Sequence, residues 1–266
     1  MPVYDKPLIY YPLSTLMLAG IRDVLLLSTP GDLPNFKHLL GDGQQWGMNI
    51  QYAAQAPAAG AAQAFLTARN FLQNSPCTVV LGDNLFYGHD LVKLLARARA
   101  RSKGASVFAH HVQDAQRYAV VEFDSQQRAL RIEEEPTFPK SHYAVTGLYF
   151  YDDQVCDIAA EIQPHGGLFE ITEINRHYLR RESLHVEIMG RGYAWLDTST
   201  PDALHEASEF IATLQKRQGL MVACPEEVAY LQGWINAEDI LRLAQPLAKN
   251  GYGRYLLSLL QPELER

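Results

Sequence analysis

The sequence predicts an α/β protein with a mixed, mostly parallel sheet flanked by helices and with a helical C-terminal part. Strand-like and helix-like segments alternate over the first part of the chain, which is typical of parallel strands covered by helices. The chain after residue 201 is helical in pattern, with short breaks at Pro225 and at Asn250-Gly251. Its 266 residues are enough for one core, so we expect a single domain over 1–266, of which about 201–266 is the helical part.

The elements of the first part follow from hydrophobic periodicity and from glycine or proline breaks. Apolar residues recur at helical spacing over 6–20 and stop at Gly20, whereas Asp23-Val-Leu-Leu-Leu-Ser28 is an aliphatic run typical of a buried parallel strand. The same reasoning predicts further helices and strands in order: a helix over 32–40, a strand over 49–52, a helix over 61–73 and a strand over 78–81.

After residue 103 the alternation indicates a more antiparallel part of the sheet. Polar and apolar residues alternate in several consecutive runs, and helical spacing returns only later. The predicted elements are strands over 105–111, 118–124, 128–134 and 143–150, helices over 152–162 and 171–181, and strands over 185–189 and 193–196.

Composition excludes several classes of function. The net charge is −7 and no block is dense in Lys and Arg, so we expect no nucleic-acid partner, since that binding needs clustered cations. No apolar run reaches the length of a membrane helix, and no signal peptide is evident. The three cysteines, Cys77, Cys156 and Cys224, form no metal-binding pattern. We therefore expect a cytoplasmic protein with reduced thiols and no membrane partner.

Two aspartates follow predicted strands. Asp83 comes after the apolar run that ends in Leu81-Gly82, and Asp197 ends the run Tyr193-Ala-Trp-Leu. Because ligands of α/β sheets bind at the carboxyl ends of strands, the two carboxylates could hold Mg²⁺ against transferring phosphates. The alternative is that each aspartate begins a turn or caps a helix; at Asp197, Thr200 before Pro201 already offers such a cap.

A third group of polar residues lies on neighbouring predicted strands. Tyr118, Glu134 and Tyr149 stand in the runs Arg117-Tyr-Ala-Val-Val-Glu122, Ile132-Glu-Glu-Glu-Pro136 and Tyr143-Ala-Val-Thr-Gly-Leu-Tyr149. Carboxylates and tyrosines at strand ends suit a ligand rich in hydroxyl groups. The alternative for the glutamate run is a solvated charged turn.

Together these segments resemble the glucose-1-phosphate thymidylyltransferases, also called dTDP-glucose pyrophosphorylases. The resemblance extends nearly end to end, through Cys224-Pro-Glu-Glu227 and Lys249-Asn-Gly-Tyr-Gly253. It implies a Rossmann-like fold and transfer of dTMP from dTTP to glucose 1-phosphate with release of pyrophosphate. Several long motifs in the right order make it specific: Tyr4-Asp-Lys-Pro-Leu-Ile-Tyr-Tyr-Pro-Leu-Ser-Thr-Leu-Met-Leu-Ala-Gly-Ile-Arg-Asp23, Leu81-Gly-Asp-Asn-Leu-Phe-Tyr-Gly-His-Asp90, Tyr143-Ala-Val-Thr-Gly-Leu-Tyr-Phe-Tyr-Asp152 and Met189-Gly-Arg-Gly-Tyr-Ala-Trp-Leu-Asp-Thr198.

The resemblance also implies roles for individual residues and for partners. Asp83 and Asp197 would be the catalytic Mg²⁺ ligands, with Asp83 also at the nucleotide. The partners would be dTTP, glucose 1-phosphate and further copies of the chain in a homotetramer that serves nucleotide-sugar and dTDP-rhamnose synthesis. Gln55 and Gly60 would bind the thymine, and the sugar phosphate would contact Tyr118, Ala119, Glu134, Val145 and Tyr149.

The chain departs from the family pattern where phosphates would bind. The family begins with a strand, a loop of the form G-G-x-G-T-R-L and a K-Q-L-L-P segment, and Met1 stands after all of these. We expect that strand to belong between 23–28 and 78–81, so that its absence leaves two rows of backbone groups unpaired.

Three substitutions affect the same region. Glu135 replaces a lysine of the family, Ala119 replaces a glycine, and His165-Gly166-Gly167 stands where an arginine is expected. Two alternatives to a working thymidylyltransferase therefore stay open. One is a catalytically impaired paralogue that binds nucleotide sugar or assembles with an active relative, and the other is an altered substrate.

Overall fold

A computed structural model describes residues 1–56, 60–164 and 168–261. The strands are β1 (Pro2–Val3), β2 (Lys6–Pro7), β3 (Asp23–Ser28), β4 (Asn49–Ala54), β5 (Cys77–Val80), β6 (Asn84–Gly88), β7 (Ala105–His111), β8 (Val120–Phe123), β9 (Ala129–Glu133), β10 (Tyr143–Tyr151), β11 (Leu184–Met189) and β12 (Tyr193–Asp197). The helices are α1 (Tyr10–Leu18), α2 (Leu33–Leu40), α3 (Gln63–Leu72), α4 (Leu91–Arg99), α5 (Val155–Ile162), α6 (Ile171–Arg180), α7 (Pro201–Gln218), α8 (Pro225–Leu231), α9 (Ala237–Ala244) and α10 (Gly251–Ser258).

The α/β class, with a mixed sheet, flanking helices and a helical C-terminal part, is confirmed. The main sheet has the strand order β11-β7-β10-β8-β9, and β5 also pairs with β10. Parallel ladders join β11 to β7 and β3 to β4, whereas β10 runs antiparallel to β5, β7 and β8. A further antiparallel pair joins β12 to β6.

The strands β3 and β5 do not pair with each other. β3 is hydrogen-bonded only to β4 among the described strands, and β5 only to β10. A cavity of about 1340 Å³ lies between them and is lined by every residue of both strands.

The first predicted helix starts later than expected. Residues 6–20 were predicted to be helical, but Lys6 and Pro7 form β2, which pairs with β1, and the helix begins at Tyr10. The later start places Pro12 in the first helical turn, where its missing N–H removes no intrahelical hydrogen bond.

Separate buried clusters hold the layers together. One lies between the main sheet and α3, α5 and α6 and includes Phe65, Val107 and Ile174. Another joins α8, α9 and α10 to α1 and β4 through residues such as Met17 and Ile240. Cys77 is half-buried and Cys156 and Cys224 are buried, and all three are free cysteines. Among the described helices, none combines the length and the apolar character needed to cross a membrane.

Candidate active site

Asp83 and Asp197 occupy adjacent positions at the end of one strand pair. In the β6–β12 ladder Asn84 is the partner of Asp197, which places Asp83 opposite Thr198. The Thr198 N–H donates to the Asp83 carbonyl at 3.0 Å, and its hydroxyl donates to the same oxygen at 2.8 Å. The backbone therefore brings together two aspartates that are more than a hundred residues apart in the chain.

Asn84 connects the two sides of this site. Its Oδ1 accepts hydrogen bonds from the Trp195 indole N–H at 2.5 Å and from the Gly147 N–H at 3.0 Å. Its Nδ2 donates to Asp83 Oδ1 at 2.7 Å, so the amide holds that carboxylate in place. Asn84 is almost fully buried, so packing and three hydrogen bonds fix its amide.

Neither aspartate acts as the cap of a helix. Asp83 precedes a strand, because 84–88 forms β6 rather than a turn into a helix. The cap of α7 is Thr200, whose hydroxyl accepts from the Ala203 N–H at 3.2 Å. The Asp197 carboxylate instead accepts from the N–H and hydroxyl of Ser199 at 2.9 and 3.0 Å. The helix-cap half of the alternative is thus wrong for both residues, whereas the turn half holds: Asp83 lies in the turn that the Asn84 N–H closes on the Leu81 carbonyl, and Asp197 begins the turn to Ser199.

Tyr118 lies next to Asp197, and its neighbour Ala119 is joined to Val145. The Tyr118 ring centroid is 5.0 Å from that of Trp195 in an edge-on arrangement. Burial and the nearby Asp197 carboxylate raise the pKa of Tyr118, so this phenol is a hydrogen-bond donor at neutral pH. The Val145 N–H donates to the Ala119 carbonyl at 2.7 Å, which fixes the backbone between β10 and β8.

Tyr149 and Glu134 meet on the other side of Asp83. Burial raises the pKa of Tyr149, and the carboxylates of Glu134, Glu170 and Asp83 raise it further. Glu134 accepts a hydrogen bond from the Thr172 hydroxyl in the first turn of α6. Burial also raises the pKa of Glu170, and the carboxylates of Glu134 and Glu135 add to that effect. This wall is therefore strongly acidic.

Gln55 and Gly60 lie beyond that wall, after the end of β4. The Gln55 Nε2 donates to the Gly60 carbonyl at 3.0 Å, and its N–H donates to the Ser28 carbonyl at 2.9 Å. Gly60 has φ +77°, and an added Cβ would lie 2.5 Å from the Phe169 carbonyl oxygen. A side chain at residue 60 is excluded both by this φ and by this contact. Because Phe169 precedes Glu170, the pair borders the acidic wall.

The sequence reasoning missed three residues of this site. Asn84 belongs to the motif Leu81–Asp90, but its hydrogen-bond partners Gly147 and Trp195 are distant in sequence and approach it only through strand pairing. Glu170 gave no local signal, because its effect depends on burial near Glu134. The Arg117 Nη2 lies 4.0 Å from Asp197 Oδ2, which places one guanidinium at the aspartate pair. The predicted departure at His165-Gly166-Gly167 lies outside the described residues.

Asp83 and Asp197 offer carboxylate oxygens, the type of donor that a divalent cation such as Mg²⁺ prefers. Among the described residues, no group of three or more Asp, Glu, His or Cys side chains could hold a metal ion. Mg²⁺ in phosphoryl-transfer enzymes is commonly held by one or two carboxylates together with water and phosphate oxygens. Asp83 and Asp197 fit this chemistry in the type of donor that they offer.

Comparison with known proteins places the chain among enzymes that transfer nucleotides. A family model described as "Nucleotidyl transferase" matches residues 1–213. A glucose-1-phosphate thymidylyltransferase of Xanthomonas campestris pv. campestris is 57% identical over 97% of this chain and 88% of its own length. A protein of the same name from Neisseria meningitidis is 51% identical over 98% of this chain and 91% of its own length.

A solved structure agrees with these relatives. A crystal structure described as a glucose-1-phosphate thymidylyltransferase of Bacillus anthracis in complex with sucrose has a TM-score of 0.74 and 33% identity. It covers 79% of this chain, and the match covers 84% of that structure. With two curated relatives above half identity over almost its whole length, this chain belongs to the nucleotidyl transferase family, in the group of glucose-1-phosphate thymidylyltransferases.

Proposed function

We propose that this protein transfers dTMP from dTTP to glucose 1-phosphate. A phosphate oxygen of the sugar phosphate forms a bond to the α-phosphorus of dTTP. The bond between that phosphorus and the oxygen leading to the β-phosphorus breaks, and pyrophosphate leaves with the electron pair. The observation that carries the proposal is the β6–β12 register, which sets Asp83 beside Asp197 within a chain whose relatives bear this activity in their names.

In this proposal Asp83 and Asp197 would hold Mg²⁺. The ion would offset the negative charge that phosphates carry into the site. Asn84 positions Asp83 through the 2.7 Å hydrogen bond from its amide, and Ser199 positions Asp197. Arg117 adds one cation within 4.0 Å of Asp197. Catalysis by such a site depends on positioning and electrostatics rather than on covalent chemistry by the protein.

Gln55 supports binding of the base. Its Oε1 is buried and has no hydrogen-bond partner within the described residues, whereas its Nε2 is held by the Gly60 carbonyl. An unpaired buried acceptor costs free energy until a donor reaches it. The N3–H of thymine is such a donor, and the absence of a side chain at Gly60 leaves room for the ring next to Phe169.

The sugar would lie between Tyr118, Glu134 and Tyr149. Glu134 is an acceptor suited to sugar hydroxyl groups, and its orientation is set by the bond from Thr172. Tyr118 offers a hydroxyl whose pKa is raised by burial and by the Asp197 carboxylate. Ala119 and Val145 would contact the sugar phosphate with backbone groups and small side chains.

Release of pyrophosphate from dTTP, glucose 1-phosphate and Mg²⁺ tests the proposal. Asp83→Asn and Asp197→Asn should each lower kcat by about 10²-fold or more, since each removes a charge placed for the transition state. Asp202→Asn, an exposed position in the first turn of α7, is the matched control and should leave the rate unchanged. If the unaltered protein binds dTTP but releases no pyrophosphate, the proposed reaction is wrong.

A second candidate is a binding protein with little turnover. Glu135 favours it, because this carboxylate joins Glu134 in raising the pKa of Glu170 and so makes the region where phosphates would lie more acidic. Binding of dTDP-glucose without turnover would support this alternative. A homotetramer and a cytoplasmic location also remain proposals, which gel filtration with light scattering and cell fractionation would test.

A further inference from the structure

We propose that Arg117 binds the phosphate group of the sugar phosphate and is thereby a substrate-binding residue of the candidate site. The identity of the ligand rests on the proposed function, whereas the availability of the arginine rests on its own contacts. Arg117 ends the short 3₁₀ turn Ala115–Arg117, in which its N–H donates to the Asp114 carbonyl at 3.1 Å. This turn precedes Tyr118 and brings the guanidinium to the end of β12, where its Nη2 lies 4.0 Å from Asp197 Oδ2.

The guanidinium of Arg117 has hydrogen-bonding capacity that the protein does not use. Arginine presents a planar fork of N–H donors, and other arginines of the chain direct theirs at carboxylates: Arg69, Arg128 and Arg242 each donate to an aspartate at 2.7 Å. The 4.0 Å between Arg117 and Asp197 is too long for a hydrogen bond. Within residues 1–56, 60–164 and 168–261, the Arg117 side chain donates no hydrogen bond. Its donors are therefore available to a ligand.

Asp197 does not require Arg117 as a partner. One oxygen of the Asp197 carboxylate accepts from the Ser199 N–H at 2.9 Å, and the other accepts from the Ser199 hydroxyl at 3.0 Å. An ion pair at 4.0 Å whose arginine is half-exposed contributes little to stability in water. Neither the stability of the fold nor the orientation of Asp197 therefore explains an arginine at this position.

The Tyr118 ring holds the guanidinium beside the site. The Arg117 Cζ lies 5.4 Å from the centroid of that ring, a distance at which a cation is attracted to an aromatic face. The ring itself packs edge-on against Trp195, which fixes it to β12. Because the Arg117 side chain is 44% exposed, a ligand can reach the guanidinium that the ring positions.

Carboxylates dominate the charge of the candidate site, which contains Asp83, Asp197, Glu134 and Glu170. In the part of the chain that the structure describes, the contact between Arg117 and Asp197 is the only ion pair that involves one of these four side chains. A phosphate that enters among carboxylates is repelled unless a cation offsets their charge. The planar guanidinium can do so while it donates two parallel hydrogen bonds to phosphate oxygens.

The position of Arg117 favours the phosphate of the sugar over those of the nucleotide. In the proposed function the sugar contacts Tyr118, the residue that follows Arg117 and carries its guanidinium. The proposed base site at Gln55 and Gly60 lies after β4, beyond the acidic wall. The phosphate that connects the sugar to the reacting centre at Asp197 therefore lies nearest to this arginine.

Calorimetric titration of the full chain with glucose 1-phosphate tests the inference. Arg117→Gln should weaken binding of glucose 1-phosphate by at least about tenfold, since it removes charge-assisted hydrogen bonds to the phosphate. It should leave the Kd of dTTP unchanged, and it should shift Tm by no more than about 1 °C because it breaks no short contact. Arg117→Lys keeps the charge but not the planar fork, so its Kd should lie between those of the wild type and Arg117→Gln. Arg217→Gln, an exposed position in the last turn of α7, is the matched control and should bind like the wild type.

Guanidinium chloride distinguishes a lost contact from a change of structure. In Arg117→Ala, millimolar guanidinium should restore part of the affinity for glucose 1-phosphate, because the ion can occupy the place beside the Tyr118 ring. Absence of binding by the wild type, unchanged binding by Arg117→Gln, a loss confined to dTTP, or a loss that guanidinium does not restore would each overturn the inference. If the wild type binds glucose 1-phosphate through Arg117 but releases no pyrophosphate, the proposed reaction is wrong and the inference stands. If Arg117→Gln releases pyrophosphate with unchanged kcat and KM, the reaction stands and the inference is wrong.

Discussion

Replacement of Gly147 by alanine should disable the site from its centre. An added Cβ at this position would lie 2.7 Å from both Cγ and Oδ1 of Asn84, closer than carbon and oxygen atoms can approach. The Asn84 side chain must therefore move. It then loses its hydrogen bonds to the Gly147 N–H, the Trp195 indole and the Asp83 carboxylate.

The expected loss of stability follows from those three contacts. Each buried hydrogen bond contributes about 0.5–1.5 kcal/mol, so Gly147→Ala should lower the free energy of unfolding by about 2–4 kcal/mol. For a chain of this size that corresponds to a fall in Tm of roughly 5–15 °C. Loss of the bond that orients Asp83 should lower kcat by about 10²-fold, since small displacements of a positioning group have effects of that size.

Thermal unfolding and pyrophosphate release measure the two effects. Gly190→Ala is the matched control, because no atom lies within 4 Å of a Cβ built there and its Tm should change by no more than about 1 °C. The decisive test is the double variant Asn84→Ala/Gly147→Ala. It lacks the Asn84 side-chain atoms with which the Cβ at residue 147 would collide. Its Tm should be no lower than that of Asn84→Ala alone. If the two single effects add, Gly147 does not act through Asn84 and the reasoning is wrong.

Three further changes test the acidic wall and the base site. Glu135→Lys should raise kcat/KM for pyrophosphate release by about tenfold or more, since it replaces an anion by a cation where phosphates would lie; an unchanged rate would place Glu135 outside the site. Glu170→Gln should raise the free energy of unfolding at pH 7 and leave it unchanged below about pH 4. The raised pKa means that the folded state disfavours the charged carboxylate, so the wild-type side chain destabilises the fold only at pH values where it is ionised. Urea unfolding at both pH values measures this difference, and an equal gain at both would contradict it. Gly60→Ala should weaken dTTP binding at least tenfold, because the Cβ would collide with Phe169; calorimetry measures the Kd, and an unchanged Kd would remove Gly60 from the base site.

The elements that sequence predicts well are those with strong local patterns. The run Asp23–Ser28 forms β3 with the predicted bounds, because consecutive aliphatic residues between Gly20 and a proline have few alternatives. The first helix was misplaced because its apolar spacing continues backwards through Pro7, although residues 6–7 pair with 2–3 instead. Periodicity records apolar faces, whereas the start of a helix depends on which backbone groups find partners.

The candidate site likewise contains residues that local sequence predicts and residues that it does not. Placement of Asp83 and Asp197 at strand ends could be predicted from their local context, and the β6–β12 register pairs Asp197 with Asn84, the residue after Asp83. The role of Asn84 could not be predicted, because its partners Gly147 and Trp195 are distant in sequence and come close only through two different strand pairs. A residue whose function lies in connecting elements has no local signature.

The cavity beside β3 shows that the burial of a strand can differ from the burial that its amino-acid composition predicts. Leu25 and Leu27 belong to a run whose composition is that of a strand enclosed on both faces, yet the strand is only partly buried and faces a wide cavity. Apolar side chains that stay in contact with water do not contribute the roughly 25 cal/mol of stability per Å² that burial of their surface would give. Composition therefore predicts the strand itself, whereas its burial depends on which other elements pack against it, and a local run of residues does not record that.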